Sequence, residues 1–196
     1  MSPALPDLDE QQERILDAAL ALVARWGVAK TSLADVAREA GCSRATLYRA
    51  FPGGKRHLFA AVARRELAVA AAEVSAAFHD GDDLAESLTR ALVVAARLLA
   101  DHPARYVLDH EPELVLPYLG FGRIDALYDR AVATFGPVVA TRVREARAAW
   151  LVEWAVRVFI SYVTGPDPTF DLTDIDRTRS LVERFIVPAF AADVHP

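Results

Sequence analysis

The stretch from Ser32 to Phe51 constrains the fold of this chain more than any other segment. Its residues, S-L-A-D-V-A-R-E-A-G-C-S-R-A-T-L-Y-R-A-F, predict two short helices joined by a tight turn. Ser32 and Ser43 stand where N-cap residues are preferred, and Gly41 readily adopts the positive φ that ends a helix. Apolar or small residues recur at helical spacing on one side of both helices. The pattern therefore predicts a helix-turn-helix.

The second of these helices, from about Arg44 to Ala50, is predicted to keep a polar face free while Leu47 and Ala50 face inward. The residues on the free face are Arg44, Ala45, Thr46, Tyr48 and Arg49. Guanidinium and hydroxyl groups bond phosphates and base edges, and a methyl group can contact thymine. A helix-turn-helix with such a face is typical of proteins that bind the major groove of DNA. The alternative is a helical hairpin whose polar face is simply solvated.

The flanking residues favour the DNA-binding interpretation. An amphipathic helix is predicted from about Asp9 to Trp26, and Gly27 ends it. After the motif, Pro52-Gly53-Gly54 breaks the chain and a long helix begins. The whole run reads R-I-L-D-A-A-L-A-L-V-A-R-W-G-V-A-K-T-S-L-A-D-V-A-R-E-A-G-C-S-R-A-T-L-Y-R-A-F-P-G-G-K. On these residues the segment from 9 to about 67 resembles the N-terminal domain of TetR-family transcriptional regulators.

This resemblance implies roles for individual side chains. Thr46, Tyr48 and Lys55 match positions that commonly hold DNA phosphates, and Arg44, Ala45 and Arg49 match positions of base-edge contacts. The full set of expected DNA-binding residues is Thr31, Ser32, Ser43, Arg44, Ala45, Thr46, Tyr48, Arg49, Lys55 and His57. Two departures from the family pattern stand out. Ala50 occupies a place where His or Tyr is common, and the run Pro52-Gly53-Gly54-Lys55 is one residue longer than usual.

The charge distribution points the same way, although the net charge of −5 alone argues against a nucleic-acid partner. Residues 1–65 contain 10 Lys/Arg and 7 Asp/Glu, a balance of +3. Residues 66–196 contain 12 and 20, a balance of −8. A basic end on an acidic body is typical of a modular DNA-binding protein whose affinity falls with salt.

The rest of the chain predicts an all-α protein of about nine helices. We expect a DNA-binding domain over residues 9–67 and a helical ligand-binding and dimerisation domain over residues 68–196. Helices are predicted from about Arg123 to Phe135, with an interruption at Gly136-Pro137, then from about Val138 to Tyr162 and from about Thr173 to Phe190.

The last two helices carry more apolar and aromatic side chains than one packing stripe requires. They form either internal core or a dimer interface, and we favour the interface because exposed apolar area marks association surfaces. A two-fold homodimer also suits a palindromic DNA site. The expected interface residues are Leu151, Val158, Phe159, Tyr162, Leu181, Val182, Phe185, Ile186 and Phe190.

The family resemblance further implies a pocket for a small-molecule effector in the helical body. The available lining is mostly apolar, which favours an apolar or amphipathic ligand that releases a repressor from DNA. The expected lining residues are Phe78, Arg97, His102, Tyr106, His110, Tyr118, Phe121, Tyr128, Trp150 and Trp154. Core packing is the alternative role for each aromatic member. A regulator without a ligand, or with redox control through Cys42, is the alternative function.

Other classes of function find little support in the sequence. No nucleophile elbow, zinc-protease motif or phosphate-binding glycine loop occurs, so an enzyme is not expected and no catalytic residue or cofactor is assigned. His102, His110, Asp109 and Glu111 have a spacing that matches no standard metal site. The absence of a signal-like start or an 18-residue apolar run, together with a single cysteine, predicts a cytoplasmic protein without a membrane partner.

Overall fold

The computed structural model describes residues 8–111, 124–165 and 170–194. Within these ranges the chain is helical apart from turns, short connections and isolated bridge residues such as the pair Val143 and Val194, which confirms the all-α prediction. The described residues divide into two compact units. The head unit contains residues 8–69 and 101–111, and the body unit contains residues 70–100, 124–165 and 170–194.

The head unit contains the helix-turn-helix with the helices on either side of it, and it takes in one helix from later in the chain. Its elements are α1 (Glu10–Lys30), α2 (Leu33–Glu39), α3 (Arg44–Ala50), the first part of α4 (Gly54–His79), and α6 (Pro103–His110). Asp9 caps α1 by accepting the N–H of Gln12 at 2.7 Å, and the Gln12 side chain accepts the Asp9 N–H in return. Helix α6 packs against α1.

The core of the head unit is built from apolar residues of four helices. Ile15 and Leu16 of α1, Val36 of α2, Leu47 of α3 and Leu58 of α4 are each fully buried. Helical spacing places Trp26 on the same apolar stripe of α1 as Ile15, but Trp26 is 40% exposed. The small residues Ala19 and Ala37 are also buried in this cluster, which lets the helices approach closely.

The body unit contains the end of α4 and the remaining helices. These are α5 (Leu84–Asp101), α7 (Ile124–Val139), α8 (Glu145–Thr164), α9 (Ile175–Leu181) and α10 (Val187–Phe190), and a π-helical turn at Val182–Ile186 joins the last two. Counting that C-terminal run as one helix, the described residues hold the nine predicted helices. Helix α7 packs against α8. None of the helices in the described ranges is long and apolar enough to cross a membrane.

The predicted break at Gly136-Pro137 is wrong. Helix α7 continues through Pro137 to Val139, and α8 begins only at Glu145 rather than near Val138. Pro137 lies in the last turn of α7, where one missing N–H disturbs few helical hydrogen bonds. At the end of the segment that joins α7 to α8, the Arg144 N–H donates to the Asp193 carbonyl oxygen at 2.9 Å.

Most of the residues expected at a dimer interface belong to the internal core of the body unit. Leu151, Val182, Ile186, Phe190 and Leu181 are buried within the chain itself. Val158, Phe159 and Tyr162 are partly buried against that core. The first five therefore contribute to the core of the chain, whereas a place at a dimer interface stays a prediction for the three partly buried residues. Phe185 differs from them, since 61% of it is exposed.

Candidate nucleic-acid interface

Two serine caps and one glycine set the geometry of the helix-turn-helix. The Ser32 hydroxyl accepts the N–H of Asp35 at 3.2 Å, and the Ser43 hydroxyl accepts the N–H of Thr46 at 3.1 Å. Each cap satisfies an amide that would otherwise lack a partner at a helix start. Gly41 adopts φ 63°, so the chain turns between α2 and α3 in the left-handed region.

Helix α3 is anchored by Leu47 and presents its other side to solvent. Leu47 is fully buried, whereas Tyr48 is 51% exposed and Arg44, Ala45 and Arg49 are also exposed. Thr46 is half-buried, and its hydroxyl lies 2.9 Å from that of Ser43. The outer face thus carries two guanidinium groups and a phenol, which can bond base edges and phosphates.

An open groove of about 430 Å³ runs beside this face. It is lined by the last residues of α1, which follow the kink at Gly27, by the start of α2, by α3 and by the start of α4. The lining residues are Ala29, Lys30, Thr31, Ser32, Leu33, Ala34, Arg44, Tyr48 and Lys55. Three of its side chains are cationic and two carry exposed hydroxyl groups, which suits an extended anion such as a DNA backbone.

Lys55 lies in this groove despite the lengthened loop before it. Gly54 adopts φ 66° where α4 begins, and the following ammonium group donates to the Ala29 carbonyl oxygen at 3.0 Å. His57 is exposed, and its ring meets that of Phe51 edge-on with centroids 6.3 Å apart. The extra residue therefore does not remove Lys55 from the candidate interface.

Thr31 has a different place from the one expected. Its side chain is fully buried, and its hydroxyl donates to the Gly27 carbonyl oxygen at 2.7 Å. A hydroxyl enclosed and bonded in this way does not reach a phosphate. We therefore assign Thr31 to holding the turn rather than to the DNA-facing surface.

The Ser32 cap carries a charged partner. The Ser32 hydroxyl donates to the Asp35 carboxylate at 2.5 Å, and Arg38 donates to the same carboxylate at 2.6 Å. These hydrogen bonds, from Ser32 first and Arg38 second, lower the pKa of Asp35 below its ordinary value. The carboxylate stays ionised near the start of α2, where the helix dipole favours negative charge.

One contact of this turn has no counterpart among the residues predicted from the sequence. The Glu111 carboxylate accepts the Val28 N–H at 2.8 Å and the Ala29 N–H at 3.0 Å. The sequence separation of more than 80 residues leaves no local pattern from which this contact can be found. The positive φ of Gly27, at 79°, is the structural feature that exposes these two amides.

The expected effector-pocket residues belong to both units, so they are described for each unit separately. Tyr118 and Phe121 lie outside the described residues. In the head unit, Tyr106 stacks on His110 with centroids 4.2 Å apart, and His102 Nε2 lies 3.1 Å from Glu66.

In the body unit the expected pocket residues have several different roles. Phe78 is buried in the core, and Arg97 donates to the Thr173 carbonyl oxygen at 3.0 Å. Tyr128 is buried with the Arg157 guanidinium over its ring at 4.3 Å. Trp150 and Trp154 are exposed on α8, 65% and 42% respectively. A role as pocket lining stays a prediction for Phe78, which packs in the core, whereas the exposure of the two tryptophans suits an association surface.

The structure also describes the residues considered for a metal site and the single cysteine. Glu111 binds backbone amides, and Asp109 pairs with Arg105 at 2.9 Å. No group of three or more His, Cys, Asp or Glu side chains within residues 8–111, 124–165 and 170–194 is arranged to hold a metal ion. Cys42 is partly buried and packs against the head core.

Comparison with known proteins agrees with this geometry. The family described as "Bacterial regulatory proteins, tetR family" matches residues 15–62. An uncharacterized HTH-type transcriptional regulator of Mycobacterium tuberculosis is 30% identical over 179 residues, which cover 90% of this chain and 83% of that protein.

Solved structures share the fold over nearly the whole chain. The TetR family repressor AlkX from Dietzia sp. strain DQ12-45-1b, implicated in biodegradation of n-alkanes, superposes with a TM-score of 0.70 at 23% identity. That alignment covers 94% of this chain and 97% of AlkX. The multidrug binding protein EbrR, complexed with imidazole, gives a TM-score of 0.61 at 26% identity, covering 89% and 94%.

Proposed function

This chain belongs to the TetR family of transcriptional regulators, and from that premise we propose that it is a homodimeric repressor of a palindromic DNA site. The observation that carries the proposal is the groove in which Arg44, Tyr48 and Lys55 lie together beside α3. In a dimer, two α3 helices enter successive major grooves about 34–36 Å apart. Arg44 and Arg49 read base edges there, while Tyr48, Thr46 and Lys55 hold phosphates.

Dimer formation is supported by the aromatic side chains that the body unit leaves exposed. Trp150 and Trp154 are one helical turn apart on α8, and Phe185 projects from the π-helical turn. Large aromatic residues on a surface mark association sites and commonly supply most of the binding energy there. A second copy of the chain is the proposed occupant, because a two-fold dimer matches a palindromic site.

We further propose that an apolar or amphipathic small molecule releases the repressor. Support comes from EbrR, a neighbour at 26% identity that is described as a multidrug binding protein. The ligand lowers DNA affinity only as far as it prefers the DNA-free shape of the dimer. Proflavin, which forms a complex with EbrR, is a first probe. It should weaken operator binding, and unchanged affinity at saturation would exclude it as an effector.

The direct test of DNA recognition is selection of bound sequences from a random DNA pool with the purified full-length protein. We expect an inverted repeat whose half-site centres are about 10 base pairs, or a multiple of that, apart. A reporter gene placed behind the selected sequence should be expressed less when the protein is present. Failure to enrich any sequence would refute sequence-specific binding, and higher reporter expression would indicate an activator.

Lys55→Ala is expected to weaken binding to all DNA sequences by a similar factor. The ammonium group lies in the groove, and a contact with a phosphate does not depend on the base sequence. Loss of that contact should also reduce the magnitude of the salt slope by roughly 1 per subunit. Fluorescence anisotropy over a range of salt concentrations measures both effects. Arg64→Ala, an exposed cation about 13 Å further along α4, is the matched control. Equal slopes for both variants would argue against a phosphate contact from Lys55.

Arg44→Ala is expected to relax discrimination between sequences instead. An arginine that bonds a base with two N–H groups contributes about 1–3 kcal/mol of preference for that base. Repeating the pool selection with the variant should therefore flatten the preference at one position of each half-site. Arg38→Ala, an exposed arginine of α2 paired with Asp35, serves as control. An unchanged selected sequence for Arg44→Ala would show that Arg44 contacts only the backbone.

A further inference from the structure

The buried carboxylate of Glu111 closes the turn that leads into the helix-turn-helix. Only 8% of the residue is exposed, and its two oxygens each accept one backbone N–H, from Val28 at 2.8 Å and from Ala29 at 3.0 Å. Hydrogen bonds to an ionised acceptor are about twice as strong as those between neutral groups. Glu111 directly follows α6, so these bonds join the end of α6 to the turn after Gly27.

The turn itself depends on contacts from outside its own backbone. Gly27, with φ 79° and ψ 172°, interrupts α1, and the first amides after such a break lack a carbonyl partner one turn earlier. At the other end of the turn, the Thr31 hydroxyl donates to the Gly27 oxygen at 2.7 Å and Lys55 Nζ donates to the Ala29 oxygen at 3.0 Å. Glu111 therefore holds the amides, while Thr31 and Lys55 hold the carbonyl groups.

The same turn forms one wall of the candidate interface. Ala29, Lys30, Thr31 and Ser32 line the groove together with Lys55. Ala29 contacts both residues, because its N–H donates to Glu111 and its carbonyl oxygen accepts from Lys55. A shift of this turn thus moves Lys30 and Ser32 and also releases the ammonium group of Lys55.

We propose that Glu111 is a positioning residue for DNA binding, which fixes the turn from Gly27 to Thr31 in the shape that presents Lys30, Ser32 and Lys55 to the phosphate backbone. The inference rests on the proposed function, because it assumes that the groove binds DNA. It assigns a gain in DNA affinity to a carboxylate that does not itself contact DNA. Coulomb repulsion alone predicts the opposite effect, a loss of DNA affinity, because a negative charge near a DNA-facing surface repels phosphates.

The test compares Glu111→Gln with Asp109→Asn in the full-length protein. Both variants remove one negative charge from the same segment, but Asp109 is exposed and pairs with Arg105 rather than with the turn. In Glu111→Gln the amide N–H₂ faces a backbone N–H, so one of the two hydrogen bonds is lost. We expect Glu111→Gln to lower operator affinity about tenfold, whereas Asp109→Asn leaves it unchanged or slightly higher.

Two further readouts separate positioning from general stability. The salt slope of Glu111→Gln should fall in magnitude by about 1 per subunit, because a phosphate contact is lost. In the DNA-free protein, hydrogen exchange of the Val28 and Ala29 amides should become faster while that of the buried helix residue Leu47 stays the same.

The outcomes distinguish this inference from the function on which it rests. If the wild-type protein binds DNA and Glu111→Gln binds it with the same affinity and salt slope, the inference is overturned and the proposed function stays intact. Weaker binding with an unchanged slope and faster exchange throughout the head unit would show a structural role only, which also overturns it. A wild-type protein that selects no DNA would overturn both.

Discussion

Replacing Gly27 with alanine is expected to destabilise the protein by about 3 kcal/mol or more. At φ 79° and ψ 172° the backbone lies in a region that is essentially restricted to glycine, where another residue costs about 1–3 kcal/mol. An added Cβ would also lie 2.5 Å from the Glu111 Oε1 atom. The buried carboxylate must then withdraw, and loss of charged hydrogen bonds adds about 1.5–3 kcal/mol.

Gly41→Ala provides the matched control for this prediction. Gly41 also has a positive φ, at 63°, but nothing lies within 4 Å of the position that a Cβ would occupy. We expect only the left-handed backbone cost, about 1–2 kcal/mol. Urea unfolding of both variants, followed by circular dichroism, measures the two free energies of unfolding. Similar losses at the two glycines would mean that the Glu111 contact contributes little to stability.

The second large effect is expected from the double variant Trp150→Ala/Trp154→Ala. If these exposed rings lie at the centre of a dimer interface, each contributes about 2–4 kcal/mol, so even one raises the dimer dissociation constant roughly 30- to 1,000-fold. Sedimentation velocity at micromolar concentration should then show monomers. Affinity for an inverted-repeat operator should fall about a hundredfold or more, because the second half-site no longer binds as part of one particle.

Two control substitutions separate loss of the dimer from loss of any exposed apolar side chain and from loss of stability. Leu67→Ala removes an apolar side chain on α4 that is 61% exposed, and it should leave the dimer intact. Leu151→Ala removes a fully buried core residue and should cost about 2–5 kcal/mol of unfolding free energy at every protein concentration. A double tryptophan variant that remains dimeric, with unchanged DNA affinity, would place the interface elsewhere.

Local sequence patterns predicted the head unit well because its determinants are short-range. The Ser32 and Ser43 caps and the Gly41 turn each act within four residues of their partners. Helical spacing likewise placed Val36 and Leu47 in the core. The same patterns failed at Pro137, since a proline near the end of a helix and one that ends it are alike in the sequence.

Apolar content was a poorer guide in the body unit. The spacing identified Leu151, Val182 and Ile186 as members of apolar faces but did not say what covers those faces. The fold covers them with other helices of the same chain and leaves Trp150, Trp154 and Phe185 exposed instead. A pattern reports which side of a helix is apolar, whereas the choice between core and interface depends on how distant helices pack.

The sequence by itself thus determined that this chain folds into helices and carries a helix-turn-helix with a basic, hydroxyl-bearing face. Caps, turns and helical periodicity are local, and they act before any tertiary contact exists. Only the tertiary structure decided that Thr31 is enclosed, that Lys55 reaches the groove, and that Glu111 holds the turn that follows Gly27. The Lys55 and Glu111 contacts join residues 26 and more than 80 positions apart, and the burial of Thr31 depends on the packing around it, so their energy exists only once the helices have packed together.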